Sequence, residues 1–139
     1  FINVFGEEVI VENADKALDT ACKATGAVIL EYTAGPVFMN TVSKGSHEWI
    51  IEFAKEPSDI NQFIEILDNA LMSVNSDYEA KRYKDLNLVK PIVWSVPKGT
   101  FNIWLKSKNK FGGQNKVPRL SNTREYIEDL YIIAGIGSV

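Results

Sequence analysis

Apolar residues recur along this chain with two periods, one near 3.6 and one of 2, and together they divide it into short elements. The clearest is 59–74, where Ile60, Phe63, Ile64, Leu67, Leu71 and Val74 form one helical stripe behind Asp59 and Gln62, spaced as a capping box. A second helix is predicted over 14–24. There Ala14, Ala17, Leu18, Ala21 and Cys22 share a face, Asn13 stands at the cap and Gly26 lies just past the end. Strict alternation marks 47–53, with His47, Trp49, Ile51 and Phe53 opposed to Glu48, Ile50 and Glu52. β-rich runs at 27–32 and 88–96 predict further strands, and Pro91 places the later one at a sheet edge.

The punctuation between these runs is mostly glycine and proline. Gly35-Pro36 predicts a break, with 37–42 extending the strand after a bend, and Lys44-Gly45-Ser46 predicts a turn, so 27–53 reads as a long antiparallel hairpin. Residues 1–11 read as one or two short strands interrupted at Gly6. A turn at 75–77 leads into a short charged helix over 78–84, and 100–106 is a further short helix carrying Phe101, Ile103, Trp104 and Leu105. Asn122 is the expected cap of a last helix, with Glu125 three residues on and Tyr126, Ile127, Leu130 and Tyr131 inward. The order β-α-β-β-α-α-β-α-loop-α, without an internal repeat, predicts a single α+β domain. Its antiparallel or mixed sheet of about four strands would be covered by helices.

Composition sharpens this picture in three places. A chain of 139 residues, 45% hydrophobic, suffices for one well-filled core. Net charge is −3, yet residues 1–85 hold 15 of the 18 acids while 86–124 hold eight Lys/Arg and no acid, which disfavours a global anion-binding role and allows a local one. Cys22 is the only cysteine, so an internal disulfide and a thiolate metal cluster are excluded; a small buried residue is the expectation there. No apolar run reaches transmembrane length and no signal peptide opens the chain, which points to a cytoplasmic setting. The start at Phe1, inside a strand-like pattern, reads as a domain cut from a longer protein.

Candidate chemistry concentrates in residues 110–122. Gly112 and Gly113 loosen the backbone, Pro118 stiffens it, and Lys110, Lys116 and Arg119 supply cations suited to phosphate or carboxylate. A solvated basic loop ahead of a helix is the plainer reading. Elsewhere, His47 is the sole histidine, and on its strand opposite glutamates it is expected to be a packed or half-exposed residue and not a general base. No nucleophile elbow, Walker loop or dinucleotide fingerprint occurs, and the shortage of His and Cys argues against a transition-metal site. Glu7 and Glu8 are candidate catalytic carboxylates, with surface charge beside a turn as the default. Tyr78, Glu79, Lys81 and Arg82 cluster within one helical turn, where pairing of Asp77 with Lys81 accounts for part of the charge. Trp49, Trp94 and Trp104 have the spacing of core residues.

Two segments carry a resemblance. Asn75-Ser76-Asp77-Tyr78-Glu79-Ala80-Lys81-Arg82, together with Gly112-Gly113-Gln114-Asn115-Lys116-Val117-Pro118-Arg119-Leu120, resembles the C-terminal domain of the Gretchen Hagen-type proteins. These are the auxin-responsive acyl acid-amido synthetases and their bacterial relatives, within the adenylate-forming superfamily. The stretches 1–8 and 47–53 match the same family in the same order. Asn115, where plant members usually carry an aromatic residue, and the Gly112-Gly113 pair look bacterial.

The resemblance implies a mobile C-terminal lid domain spanning 1–139, whose partner is an N-terminal adenylation domain of the same polypeptide. That domain would bind ATP, Mg²⁺ and a small carboxylic acid, form the acyl-adenylate and pass the acyl group to an amino acid. By position Lys116 is the family's late catalytic lysine. Gln114, Arg119, Glu7, Glu8, Tyr78 and Arg82 are the substrate- or phosphate-facing candidates, and residues 5–8 would be a turn beyond the interdomain hinge, on the face presented in the second half-reaction. No cofactor is expected in this domain alone, which should be inactive by itself, and no membrane role is implied. The competing reading is a stand-alone module using the basic 98–124 segment for an anionic partner or nucleic acid; the negative net charge makes nucleic acid the poorer fit.

Overall fold

Two strands dominate the computed structural model, which describes residues 1–39, 44–108 and 117–136. Strand β1 (Val28–Met39) pairs antiparallel with β2 (Lys44–Lys55), from Val28 opposite Lys55 to Met39 opposite Lys44. Strand β3 (Ile92–Val96) adds to the other side of β2 in parallel, giving a three-stranded mixed sheet in the order β1-β2-β3. The fold is α+β as expected, with one strand fewer than about four.

Around the sheet stand α1 (Val11–Thr25), α2 (Ile60–Val74), α3 (Ser76–Arg82), a 3₁₀ turn at Tyr83–Asp85, α4 (Thr100–Ser107) and α5 (Glu125–Ala134). The parallel pairing follows from the crossover, because α2 and α3 intervene between β2 and β3.

Central β2 is buried on both faces, so its alternation sorts residues between two cores. Trp49, Ile51 and Phe53 face α1 and α2, where Ala14, Ala17, Leu18, Phe63, Leu67 and Leu71 complete the larger cluster. Ile50 faces the other way, into a smaller cluster built from Val96, Phe101, Trp104, Val117, Ile127 and Leu130. The stripe predicted for 59–74 is therefore inward, and Asp59 caps it by accepting the N–H groups of Asn61 and Gln62. Trp49 and Trp104 are buried as their spacing required, while Trp94 and Cys22 are half-buried.

Several local expectations give way. Lys44-Gly45-Ser46 is not a turn but the start of β2. Gly35-Pro36 does not break β1, and both residues have a reason to stand within it. The segment 117–124 runs against the outer edge of β1. Ala34 donates its N–H to Arg119 O and accepts the N–H of Ser121, and Thr33 Oγ1 donates to Pro118 O at 2.7 Å. A Cβ on Gly35 would meet Ile127 Cδ1 at 2.8 Å and Thr123 O at 3.0 Å, so only glycine admits this approach. Pro36 shares the outward side with Ala34, where its missing N–H breaks no bond to β2. Gly35→Ala should therefore destabilise the domain by about 1–3 kcal/mol in a denaturant titration. An unchanged midpoint would mean that the 117–124 segment does not press on β1.

The remaining corrections concern the ends of elements. Residues 1–11 form no regular strand, only an isolated bridge between Ile2 and Val9, because the side chain of Glu7 takes up the N–H groups of Val4 and Phe5. Helix α1 begins at Val11, so Asn13 is not its cap. It lies inside the first turn and accepts the N–H of Ile10. Helix α3 begins at Ser76, two residues early, because Asn75 accepts the N–H of Tyr78. Leu88 is joined to Gly45 by an isolated bridge and regular pairing starts only at Ile92. Asn122 does not cap α5, which opens after Arg124; its Oδ1 accepts the N–H of Asn3 at 3.0 Å.

Candidate functional site

Three polar clusters are built into this frame, and the residues expected to meet substrate are divided among them. Lys116 and Gln114 lie outside the described residues, as does Lys110. The described end of their segment is firmly held, since Val117 is buried in the smaller core and Leu120 in the larger. Residues 117–120 thus cross the edge of the sheet from one face to the other.

Arg119 stands on this crossing, half exposed, 3.2 Å from Asp15 of α1 and stacked 5.7 Å over the ring of Tyr32. Tyr32 also donates its hydroxyl to Asp15 at 2.7 Å. Burial and then the hydrogen bond to Asp15 raise the Tyr32 phenol above its ordinary value, so it stays protonated. Beside them a groove of about 370 Å³ runs between α1 and β1, floored by Leu18, Val28 and Leu30 and rimmed by Asp15, Glu31 and Arg119. Arg119 thus serves as a brace to α1, with only one of its guanidinium nitrogens engaged by Asp15.

The second cluster overturns the surface reading of Glu7. Its carboxylate is fully buried, accepts the N–H groups of Val4 and Phe5 at 2.7 Å each, and lies 2.7 Å from His47 Nε2. Burial works most strongly against its ionisation. The bonds from His47 and the two backbone groups outweigh that penalty and hold the Glu7 carboxyl below its ordinary value. Gly6 and Glu8 carry positive φ, 103° and 40°, which wraps the turn around this carboxylate while Glu8 remains exposed.

Tyr78 packs on His47 at 5.5 Å between ring centroids, so the structure brings Glu7 and Tyr78 to one histidine. Tyr78 is itself buried and donates its hydroxyl to Asp68 at 2.7 Å, and Arg82 reaches both Asp68 oxygens. Burial and Asp68 raise the Tyr78 phenol, and the Asp68 bond raises Arg82. Arg82 also reaches Asp85 and the carbonyl of Leu88. Glu7, Tyr78 and Arg82 are thus internal, and of the candidates in this region Glu8 alone faces solvent.

The third cluster was not foreseen. Glu48 on β2 is 2% exposed and accepts from Trp94 Nε1 at 2.6 Å, from Arg124 Nη1 at 2.8 Å and from the hydroxyl of Tyr131. Arg124 also donates to Pro36 O at 2.9 Å and lies 5.7 Å over the Tyr131 ring. Burial opposes the charge on Arg124, and its bonds to Glu48 and Tyr131 more than restore it; the Tyr131 phenol is pushed up to about 12 by burial and by Glu48. Four residues along β2 on the same face, Glu52 accepts the N–H of Phe101 at 3.0 Å in the first turn of α4. The signal was present in the alternation, since a glutamate on each side of an inward Ile50 in a central strand must find partners. Asp68, placed on the apolar face of α2 between Leu67 and Leu71, carries the same kind of signal.

The comparisons with known proteins cover the same ground. The model of the GH3 family C-terminal domain matches residues 12–125. The chain belongs to the GH3 family, as its C-terminal domain. Two solved structures share the fold. The AtGH3.15 acyl acid amido synthetase in complex with 2,4-DB is 16% identical, with a TM-score of 0.72 over 94% of this chain and 25% of its own. The GH3.15 acyl acid amido synthetase is 18% identical, with a TM-score of 0.66 over 87% of this chain and 24% of its own. No curated protein matches. The GH3 domain described here therefore spans about a quarter of the length of the solved proteins it resembles. Among its described residues no helix is long and apolar enough to cross a membrane, and no three His, Cys, Asp or Glu gather to hold a metal ion.

Proposed function

We propose that residues 1–139 are the mobile lid domain of an ATP-dependent acyl acid-amido synthetase, working with an N-terminal adenylation domain of the same polypeptide in the cytoplasm. The observation that carries the reading is the family match over 12–125, supported by the fold shared with two acyl acid amido synthetases. In this reading a small carboxylic acid is adenylated and its acyl group passes to an amino acid amine. Carboxylate attack on the α-phosphate brings negative groups together, and Lys116 supplies the ammonium that offsets the developing charge. Val117, buried beside it in sequence, gives that lysine a fixed point of attachment. Mg²⁺ and the groups that would hold it are assigned in this reading to the N-terminal domain.

The alternative, an anionic or nucleic-acid partner on the basic 98–124 segment, is less favoured, because three of the five cations among its described residues already have acidic partners. Lys108 pairs with Asp129, Arg119 with Asp15 and Arg124 with Glu48. Pyrophosphate exchange by the full-length protein, across a panel of carboxylic acids, is the test. ATP-dependent exchange with at least one acid is expected, and none with any acid overturns the reading. The isolated domain should bind ATP weakly or not at all by calorimetry, whereas micromolar affinity would give it a nucleotide site of its own.

A further inference from the structure

The 117–124 segment is fastened at intervals, and its last fastening is the unforeseen one. Val117 is buried, Pro118 O accepts from Thr33, Arg119 O and Ser121 N bond Ala34, and Arg124 ends the run on Pro36 O and Glu48. Of these fastenings only the one at Arg124 reaches a charge on the central strand. Glu48 is moreover buried under a load of three donors, drawn from β3 and α5 and from the residue preceding α5. A carboxylate held in this way defines the position of Arg124 and Tyr131 together. Ile127 and Leu130 of α5 then meet Val117 in the smaller core.

We infer that Glu48 is a positioning residue for the adenylation half-reaction, acting through Arg124 and α5 on the 117–124 segment that adjoins Lys116. Glu48 touches no substrate in this scheme. Its charge fixes the far end and the packing partner of the segment that follows Lys116 in the chain, and small errors in placing a catalytic charge are costly. The inference rests on the proposed function, because it needs Lys116 to act in adenylation. It adds a residue outside the motif that carried the family resemblance in that loop.

The test uses the full-length protein and single-turnover measurements of the two half-reactions. Glu48→Gln keeps the size of the side chain and removes its charge. Adenylation should slow about tenfold, while transfer from preformed acyl-adenylate to the amine stays within about twofold. In a Lys116→Ala background the same change should add nothing, because a positioning residue has no effect once the group it positions is gone. Tyr131→Phe, which removes only one of the bonds to Glu48, should reproduce the selectivity at a few-fold if Glu48→Gln proves too unstable to assay. Equal slowing of both half-reactions, or an undiminished effect on top of Lys116→Ala, reduces Glu48 to a stability residue and overturns the inference alone. If Lys116→Ala itself leaves adenylation unchanged, the assignment of that lysine fails and the inference falls with it.

Discussion

Lys116→Ala, made in the full-length protein, is expected to slow adenylation by roughly 10²–10³-fold, the usual cost of deleting one preorganised charge-stabilising group. Transfer of the acyl group from preformed acyl-adenylate should change far less, because the phosphate chemistry is by then complete. Lys110→Ala, on the same basic stretch but outside the matching motif, should alter neither step. Single-turnover assays of each half-reaction decide the matter. Equal slowing of both steps would make Lys116 a structural residue, and slowing of neither would end its catalytic assignment.

The second large effect concerns stability. Glu7→Ala leaves His47, fully buried, facing an empty site and strands the N–H groups of Val4 and Phe5. Leaving buried polar groups without partners in this way costs about 1–3 kcal/mol for each. The same carboxylate sets a pH dependence. Its folded pKa lies below the ordinary value, so its contribution is complete above the unfolded carboxylate's pKa and is lost as pH falls through the folded value. Urea titrations at a series of acidic pH values should show Glu7→Gln less stable at neutral pH, with the gap to the parent closing as pH falls. Parallel curves for the two proteins would refute the role given to Glu7.

What the sequence disclosed and what it withheld follow from the range of the interactions concerned. Helix α2 was legible because its stripe and its cap at Asp59 lie within sixteen residues of each other. The break expected at Gly35-Pro36 and the turn expected at Lys44-Gly45-Ser46 are both strand, because their residues answer to distant neighbours. Gly35 makes room for Thr123 and Ile127, and Gly45 for Val37 O, Val4 and Phe5, contacts that no local pattern contains. Asn122 had the composition of a cap and instead bonds Asn3, 119 positions away. The candidate site divides along the same line. Arg119 was flagged from its motif, whereas the burial of Glu7 required knowing that His47 would be folded against it. Tyr78 and Arg82 read as substrate- or phosphate-facing candidates, whereas Asp68 draws both inward.

The segment 117–121 also bears on how this chain avoids its own kind. Strand β1 lies at one side of the sheet, and the outer edge of such a strand is a template for pairing with another molecule. Arg119 and Ser121 occupy the N–H and C=O of Ala34, and the crowded approach at Gly35 seals the next position. Peeling the segment away would open that edge to intermolecular strand addition as well as uncover Val117 and Leu120. Under the proposed function, in which Lys116 immediately precedes this seal, a domain that turns as a whole would bring its lysine to substrate with the edge kept shut.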